Sequence, residues 1–372
     1  MPARPRPGPL KLVVFSLLPT IALLVLGEAG ARVYFALRNH DASYLVAPYG
    51  MARRYPFRVG ATWTRNDACT GRALTLQSHD LGGRGPDWPR RKPPGTLTVI
   101  AAGGSSTFGI NNPYEATWPF LLKGRLATAL GRQVDVLNAG QPGRRLEHIV
   151  KDLPAWTARA HPDVVIYYEG FNNTYPYDVG RFHDGPGRVL YALYYSSMLY
   201  TYLLEKVTLS GSTWEREFAK EMALFRAELP RFVARVRDAG ATPVFVLQLT
   251  DPPPGVALDH LAVDDHSAVV AHIRQVTVGR RTLANAEATV LIELVRRAGR
   301  DLSVPVIDPR PAFAAHSGGP KLFCSEVHLT DAGNDLLAET IAAGLAPEIA
   351  SKGPRVTVAP SRAPLHMSGA QR

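Results

Sequence analysis

The sequence is poor in cysteine, the residue that binds metal clusters and builds disulfide frameworks. It contains two cysteines among 372 residues, which allows at most one disulfide bond. It shows no zinc-knuckle spacing, and its histidines at positions 260, 266 and 272 are six residues apart, a spacing that matches no zinc motif. We therefore predict a protein without a metal site.

Features of nucleic-acid-binding proteins are also absent. The net charge is +10, yet the arginines are scattered along the chain, and neither an RNA-binding signature nor a basic-helix pattern is present. A scattered positive charge favours anionic surfaces in general, such as lipid headgroups or acidic glycans. The sequence also lacks internal repeats. Nucleic acid is therefore not an expected partner.

The overall composition is that of a globular protein. Hydrophobic residues make up 46% of the chain and charged residues 20%, which is not the composition of a disordered polypeptide. The length suits either two average domains or one large α/β domain. We expect a sizeable core.

A long apolar run lies near the N-terminus. It covers residues 12–27 and follows three basic residues, Arg4, Arg6 and Lys11. Basic residues before such a run keep that end in the cytoplasm. The remainder of the chain is therefore expected outside the cytoplasm, in the periplasm or on the outer face.

Two interpretations of this run compete. A cleaved signal peptide would use the small residues 29–31 as its cleavage site. An uncleaved signal anchor would cross the membrane as a helix, with Glu28 and Arg32 pairing one turn apart near its outer edge. We favour the anchor, because Glu28 lies unfavourably close to the cleavage site.

Strand-like and helix-like segments alternate after residue 94. Short apolar segments rich in β-branched residues predict strands at 97–102, 134–138, 164–168, 243–249 and 305–308. Helical patterns between them predict helices at 116–130, 146–158, 214–239 and 281–298, with Gly131, Gly240 and Gly299 as C-caps. This alternation predicts an α/β fold with a mostly parallel five-stranded sheet and helices on both faces.

The chain divides into four predicted parts. They are an N-terminal transmembrane helix at 1–38, a turn-rich neck at 39–94, the α/β domain at 95–350 and a disordered tail at 351–372. Within the domain, the tyrosine-rich segment 189–204 suits either a buried helix or a lid or lipid-facing surface. Residues 251–266 are expected to form a long loop beside the site.

Four short blocks fall where strands should end. They read Gly-Gly-Ser-Ser-Thr-Phe-Gly at 103–109, Asn-Ala-Gly-Gln-Pro-Gly at 138–143, Glu-Gly-Phe-Asn-Asn at 169–173 and Ser-Glu-Val-His-Leu-Thr at 325–330. Ligands in parallel α/β sheets bind outside the carboxyl ends of the strands, so we expect the blocks to meet there. Together they supply a serine nucleophile, oxyanion donors and a histidine base, the parts of an acyl-transfer site.

Each block alone also has an ordinary explanation. Ser105 suits a plain turn or a phosphate-binding loop, although the P-loop lysine and the third glycine of a dinucleotide fingerprint are missing. Gly143 and Asn172 are residues that turns favour. The ordered set nevertheless favours Ser105 as nucleophile, the amides of Ser105, Gly143 and Asn172 as oxyanion donors, and His328 as base.

The four blocks resemble those of the SGNH, or GDSL-type, hydrolases, which are named for their serine, glycine, asparagine and histidine. The resemblance covers about two thirds of the chain, residues 96–345, and the segment 81–86 looks like that of membrane-anchored bacterial members. It implies a three-layer α/β/α flavodoxin-like fold. It further implies action on esters, often acetyl groups on carbohydrates, without a metal or organic cofactor.

The sequence departs from this family pattern at two positions. Gly104 replaces the aspartate of the first block, and Ser325 replaces the aspartate that usually lies three residues before the histidine. That second acid fixes the imidazole tautomer and stabilises the imidazolium. Candidates for an orienting group are therefore Ser325, Glu326 and Asp331, and a Ser105–His328 dyad is the alternative.

The leading functional prediction is a membrane-anchored serine esterase outside the cytoplasm. Its expected substrate is a carboxylic ester, with acylated carbohydrate as a candidate, and its membrane contact is the N-terminal helix. One alternative is an O-acyltransferase that passes the acyl group to a cell-surface polysaccharide. Another is a weakly active glycan-binding relative, and the oligomeric state is left open.

The two cysteines allow two interpretations. Outside the cytoplasm, Cys69 and Cys324 could form one disulfide that ties the neck to the loop before His328. Otherwise they are two buried thiols, which behave as small hydrophobic residues.

Overall fold

The computed structural model describes residues 9–39, 45, 59–67, 69–89, 91–174, 197–200, 202–203, 213–250, 262–276, 280–317 and 319–351. The strands are β1 Thr62–Asn66, β2 Ala73–Gln77, β3 Leu97–Gly103, β4 Val134–Asn138, β5 Val164–Tyr168, β6 Thr242–Val246 and β7 Val306–Ile307. The helices are α1 Pro9–Asn39, α2 Ser105–Phe108, α3 Trp118–Leu130, α4 Leu146–Ala160, α5 Thr213–Asp238, α6 His266–Val276, α7 Arg280–Asp301, α8 Arg310–Ala315 and α9 Asp331–Ser351. Short 3₁₀ turns lie at Tyr114–Ala116 and Phe171–Asn173.

Five parallel strands form the central sheet, in the order β4-β3-β5-β6-β7. Every residue of β3 and β5 is buried, because helices cover both faces of the sheet. The predicted parallel five-stranded α/β fold is confirmed.

The two faces of the sheet have separate cores. Aromatic side chains of α5, including Phe218, Phe225 and Phe232, fill one side together with residues of α4 and α7. Trp118 of α3 and Ile341 of α9 pack on the other side. The helices thus form one layer on each face of the sheet.

One predicted helix end is wrong. Gly131 and Gly240 follow α3 and α5 with positive φ angles of 60° and 74°, as C-cap glycines do. Helix α7, in contrast, continues through Gly299 to Asp301. A Cβ atom at Gly299 would lie 2.1 Å from a methyl carbon of Val306, so this glycine allows the helix to pack closely on β7.

The predicted neck contains structure that the sequence analysis did not expect. Strands β1 and β2 pair in an antiparallel hairpin, and Leu76 of β2 packs with Phe108. The buried guanidinium of Arg84 donates to the carbonyl oxygens of Gly109 and Asn112, each at 3.1 Å, and lies over the Phe108 ring. Leu76 and Arg84 therefore pack against residues 108–112, just after the nucleophile turn. These two strands lack the continuous apolar stretch that identified β5.

The N-terminal helix α1 is long and apolar enough to cross a membrane. Its segment Phe15–Tyr34 has a mean hydropathy of 1.4 over 20 residues and is almost wholly exposed. Glu28 and Arg32 form the ion pair expected one turn apart, at 2.8 Å. By length and composition the helix fits either a membrane anchor or a signal sequence.

Several predicted segments lie outside the described residues. They are the loop 251–261, residues 189–196 of the tyrosine-rich segment, and nearly all of the C-terminal tail. Helical structure is described at 198–200 and 202–203, where Met198 is buried.

A disulfide joins Cys69 and Cys324, whose Cα atoms are 5.3 Å apart. It links the turn between β1 and β2 to the loop before His328, across a sequence separation of 255 residues. Closing so long a loop removes much conformational freedom from the unfolded chain.

We expect the Cys69→Ala/Cys324→Ala variant to lose about 2–5 kcal/mol of unfolding free energy. Urea unfolding of the full-length protein in detergent measures this loss. Reduced wild type should show a similar loss. Alkylation of two thiols in denatured, unreduced wild type would contradict the bond.

Candidate active site

The four sequence blocks meet at the carboxyl edge of the sheet. The first three follow β3, β4 and β5, and the fourth precedes α9, which packs against α3. In an open α/β sheet this edge is where ligands bind.

Small residues allow the sharp turn that presents Ser105. The backbone leaves β3 at Gly103, where a Cβ atom would lie 2.1 Å from the Thr107 hydroxyl oxygen. Gly140 allows an equally close approach, since its Cβ would lie 2.3 Å from the Phe108 nitrogen. Ser105 begins the short helix α2 and stays partly exposed.

The His328 imidazole lies between two serine hydroxyls. Its Nε2 is 2.8 Å from Ser105 Oγ, and its Nδ1 is 2.7 Å from Ser325 Oγ. In the tautomer protonated on Nδ1, the ring donates to Ser325 and accepts the hydrogen bond of Ser105. Ser325 thus occupies the orienting position.

The two predicted acidic candidates do not occupy that position. Asp331 accepts a hydrogen bond from Asn112 Nδ2 at 2.8 Å. Glu326 is half-buried in the loop before His328, but both ring nitrogens have serine hydroxyls as their partners.

The environment keeps His328 neutral. Burial lowers the pKa of His328 to about 4, and the nearby positive charge of Arg65 lowers it further. Arg65 comes from β1, so the hairpin contributes directly to the electrostatics of the site. A neutral imidazole is the form that can accept a proton.

The predicted oxyanion donors lie at neighbouring turns. Gly143 has a φ angle of 74°, is exposed, and has no atom within 4 Å of its Cβ position. Asn172 Nδ2 donates to the carbonyl oxygen of Arg144 at 2.9 Å, which fixes the amide beside that turn. A Cβ atom at Gly104 would lie 2.4 Å from Asn172 Nδ2, so the amide also adjoins the residue before Ser105.

Two further residues join the blocks and had no role in the sequence analysis. Ser106 Oγ donates to the carbonyl oxygen of Val327 at 2.8 Å, beside His328. Gln248 Oε1 accepts the hydrogen bond of the Phe171 amide at 2.9 Å. Ser106 lies within a recognised block, but Gln248 carries no local signal that could have identified it.

Glu169 is also buried in the site. Its Oε1 accepts hydrogen bonds from the amides of Gly170 and Asn172, at 2.9 and 3.0 Å. Burial raises the pKa of Glu169 to about 7, while the surrounding backbone amides act in the opposite direction. Glu169 could have been identified from the sequence as a site candidate, because it is the first residue of the third block.

Within the described residues, Asp67, Cys69 and Cys324 are the group of potential metal ligands that lie close together. The two cysteines are joined in the disulfide and offer no thiolate. This group therefore does not form a cysteine-based metal site.

Comparison with known proteins identifies the family. Solved structures with similarity to this chain include a lipase/acylhydrolase from Enterococcus faecalis, 16% identical over 68% of this chain and 96% of that one, with a TM-score of 0.42. Another is a G-D-S-L family lipolytic protein from Veillonella parvula, 14% identical over 66% of this chain and 97% of that one, with a TM-score of 0.41. A third is the acetyl xylan esterase AlAXEase, 16% identical over 66% of this chain and 98% of that one, with a TM-score of 0.41. No curated protein matches the chain. The profile of the GDSL-like Lipase/Acylhydrolase family matches residues 101–336, well over half of the chain.

The chain belongs to the GDSL-like lipase/acylhydrolase family. It is therefore an ester-hydrolysing enzyme, and the resemblance to GDSL-type hydrolases is confirmed. Within this GDSL-like enzyme, His328 Nδ1 contacts the uncharged hydroxyl of Ser325 rather than a carboxylate.

We expect Ser325→Asp to raise the pKa of His328 from about 4 toward the ordinary histidine value of about 6.5, because a carboxylate beside Nδ1 favours the imidazolium. NMR titration of ¹³C-labelled histidines measures this, with the signal assigned by His328→Gln. Ser325→Ala is the matched control and should leave the midpoint low. A titration midpoint of wild-type His328 near the ordinary histidine pKa would contradict the lowering of its pKa by burial and Arg65.

Proposed function

We propose that this GDSL-like enzyme is a serine esterase that uses Ser105 as nucleophile and His328 as general base. The contact between Ser105 Oγ and His328 Nε2, at 2.8 Å, carries the proposal. A serine hydroxyl becomes an effective nucleophile when a base within hydrogen-bond reach takes its proton.

The proposed reaction begins with attack of Ser105 Oγ on the ester carbonyl carbon. His328 Nε2 accepts the hydroxyl proton, and the carbonyl oxygen becomes an oxyanion that the amides of Ser105, Gly143 and Asn172 stabilise. The imidazolium then gives the proton to the leaving alkoxide as the carbon–oxygen bond breaks. Water, activated by the same imidazole, releases the acyl group from Ser105.

Ser325 orients the imidazole, and its hydroxyl accepts the Nδ1 hydrogen bond in the tautomer that this sequence of steps needs. The contact of its hydroxyl with Nδ1, at 2.7 Å, supports this role. Because a hydroxyl has no charge, the imidazolium gains less stabilisation than an aspartate would supply. We infer an enzyme whose base is oriented well and whose charged intermediate is weakly stabilised.

We further propose that α1 is retained as a membrane anchor. The Glu28 carboxylate accepts hydrogen bonds from Ser197 Oγ at 2.8 Å and from the amides of Met198 and Leu199 at 3.1 and 2.9 Å. Glu28 thereby caps the helical residues that begin at 198. The ring contact between Tyr34 and Tyr202 supports the same docking.

The proposed location and substrate follow from this anchor. The basic residues before the apolar run favour a catalytic domain outside the cytoplasm. We propose carboxylic esters in that compartment as substrates, either acyl or acetyl esters, with acylated carbohydrate as the candidate class.

We expect Ser105→Ala and His328→Ala each to reduce hydrolysis of p-nitrophenyl acetate by at least about 10³-fold, as loss of a nucleophile or its base does. Steady-state kinetics of the full-length protein in detergent measure this. A fluorophosphonate probe should label wild type and leave Ser105→Ala unlabelled. Wild-type activity that survives in Ser105→Ala would overturn the proposal.

The retained anchor predicts that the mature protein keeps the residues before Ala31. Intact-mass measurement of the membrane-extracted protein should give the full chain, apart from removal of the initiating methionine. Glu28→Ala should weaken the docking and increase proteolysis near residue 200, whereas Glu28→Gln, which keeps one acceptor oxygen, should have a smaller effect. A mature chain beginning after Ala31 would refute retention.

A further inference from the structure

One buried carboxyl group at the site takes no part in the proposed proton transfers. Glu169, 1% exposed, directly follows β5. Its Oε1 accepts two backbone hydrogen bonds. Its Oε2 is buried and has no hydrogen bond of good geometry among the described residues, although the nearby Gly104 amide helps to lower the pKa of the carboxyl group. A buried polar atom without a partner costs free energy, so its retention calls for an explanation.

Glu169 Oε2 lies where a side chain at Gly104 would be. A Cβ atom built on Gly104 would lie 2.0 Å from Oε2 and 2.4 Å from Asn172 Nδ2. The Gly104 φ angle is −93°, which other residues also adopt. Space is therefore one reason why position 104 needs glycine.

The same carboxyl group holds the loop that carries Asn172. Oε1 accepts the hydrogen bond of the Asn172 backbone amide at 3.0 Å, and Oε2 lies beside the Gly104 Cβ position that Asn172 Nδ2 also adjoins. Asn172 is thus held through its backbone by Glu169 and through its side chain by the Arg144 carbonyl oxygen.

We propose that Glu169 is a positioning residue of the ester-cleaving site, filling the side-chain space at Gly104 and holding the Asn172 amide beside the residue that precedes Ser105. This inference rests on the proposed function, because it assigns Glu169 to the oxyanion donor of that reaction. It also explains why glycine is found at position 104, where the family pattern has aspartate.

The chemistry of a carboxyl group suits this place better than that of an amide. In Glu169→Gln, an amide nitrogen in place of Oε1 would meet the two N–H donors of Gly170 and Asn172. An amide nitrogen in place of Oε2 would lie beside the Gly104 Cβ position, which the Asn172 Nδ2 donor also adjoins. The raised pKa of Glu169, about 7, reduces the negative charge beside a developing oxyanion at neutral pH.

The test compares kcat and KM of full-length variants in detergent with p-nitrophenyl acetate. We expect Glu169→Gln to lower kcat by about 10- to 100-fold with KM changed less than about threefold, since complete loss of an oxyanion donor costs about 10²–10³ in kcat. Gly104→Ala should lower kcat by a similar factor, because the new methyl group displaces Oε2 and Nδ2.

The decisive comparison is a double-mutant cycle. In a Glu169→Ala background the space at position 104 is partly free, so adding Gly104→Ala should cost less than a third of the factor that it costs in wild type. Multiplicative effects of the two substitutions would overturn the proposal, as would wild-type kcat in Glu169→Gln.

Matched controls separate positioning from general stability. Glu228 is a buried carboxylate of α5 that pairs with Arg231, and Glu228→Gln should leave kcat unchanged. Gly124 has no atom within 4 Å of its Cβ position, so Gly124→Ala should also be neutral. If Glu169→Gln fails to fold, as judged by thermal unfolding, Gly104→Ala still tests the contact.

Hydrolysis and probe labelling of the wild type distinguish failure of the proposed function from failure of the positioning role alone. Hydrolysis that depends on Ser105, together with unaffected Glu169 and Gly104 variants, would overturn the positioning role alone. A folded wild type without hydrolysis or probe labelling would overturn both the proposed function and this inference.

Discussion

The site depends on a hydrogen bond between two residues that lie 223 positions apart in the sequence, Ser105 and His328. Bringing distant parts of a chain together costs conformational entropy, which the surrounding structure must offset. The sheet offsets part of this cost, because Ser105 follows β3, which pairs with strands on both sides. Helix α9 offsets another part, since it begins just after His328 and packs on α3.

Additional contacts hold the same two segments together. Ser106 donates to the carbonyl oxygen of Val327, and Asn112 donates to that of Leu329 at 3.2 Å. The nucleophile turn and the histidine loop are therefore connected on both sides of His328. Arg84 supports the turn from the hairpin side, and burial lowers its pKa only to about 10, so its guanidinium stays charged.

Much of the fold and the principal site residues could be predicted from the sequence. Strands β4 and β5 begin and end where the apolar pattern places them. Strand β5 is buried on both faces and therefore reads as a continuous hydrophobic segment. Ser105 and His328 were identifiable because each lies in a distinctive block at a strand end or before a helix. Ser325 was one of three orienting candidates, and only the geometry separates it from Glu326 and Asp331.

The remaining features depend on contacts through space. The relation between Gly104 and Glu169 joins residues that directly follow two different strands, β3 and β5, and the sequence around either residue does not reveal it. Gly299 looks like a helix end, yet its role is close packing on Val306. Arg65 lies on a strand of the hairpin, and nothing in its sequence neighbourhood indicates that its charge acts on His328.

The bond between Cys69 and Cys324 connects the assembly of the site to the redox state of its surroundings. Disulfides form and persist in oxidising compartments and are rare where thiols are kept reduced. Before oxidation, the loop preceding His328 lacks its covalent attachment to the hairpin that carries Arg65. A chain that is still in a reducing compartment would therefore have its base less firmly held. For a catalytic domain outside the cytoplasm, as proposed above, the loop would become fastened beside the nucleophile only after the chain leaves the reducing compartment.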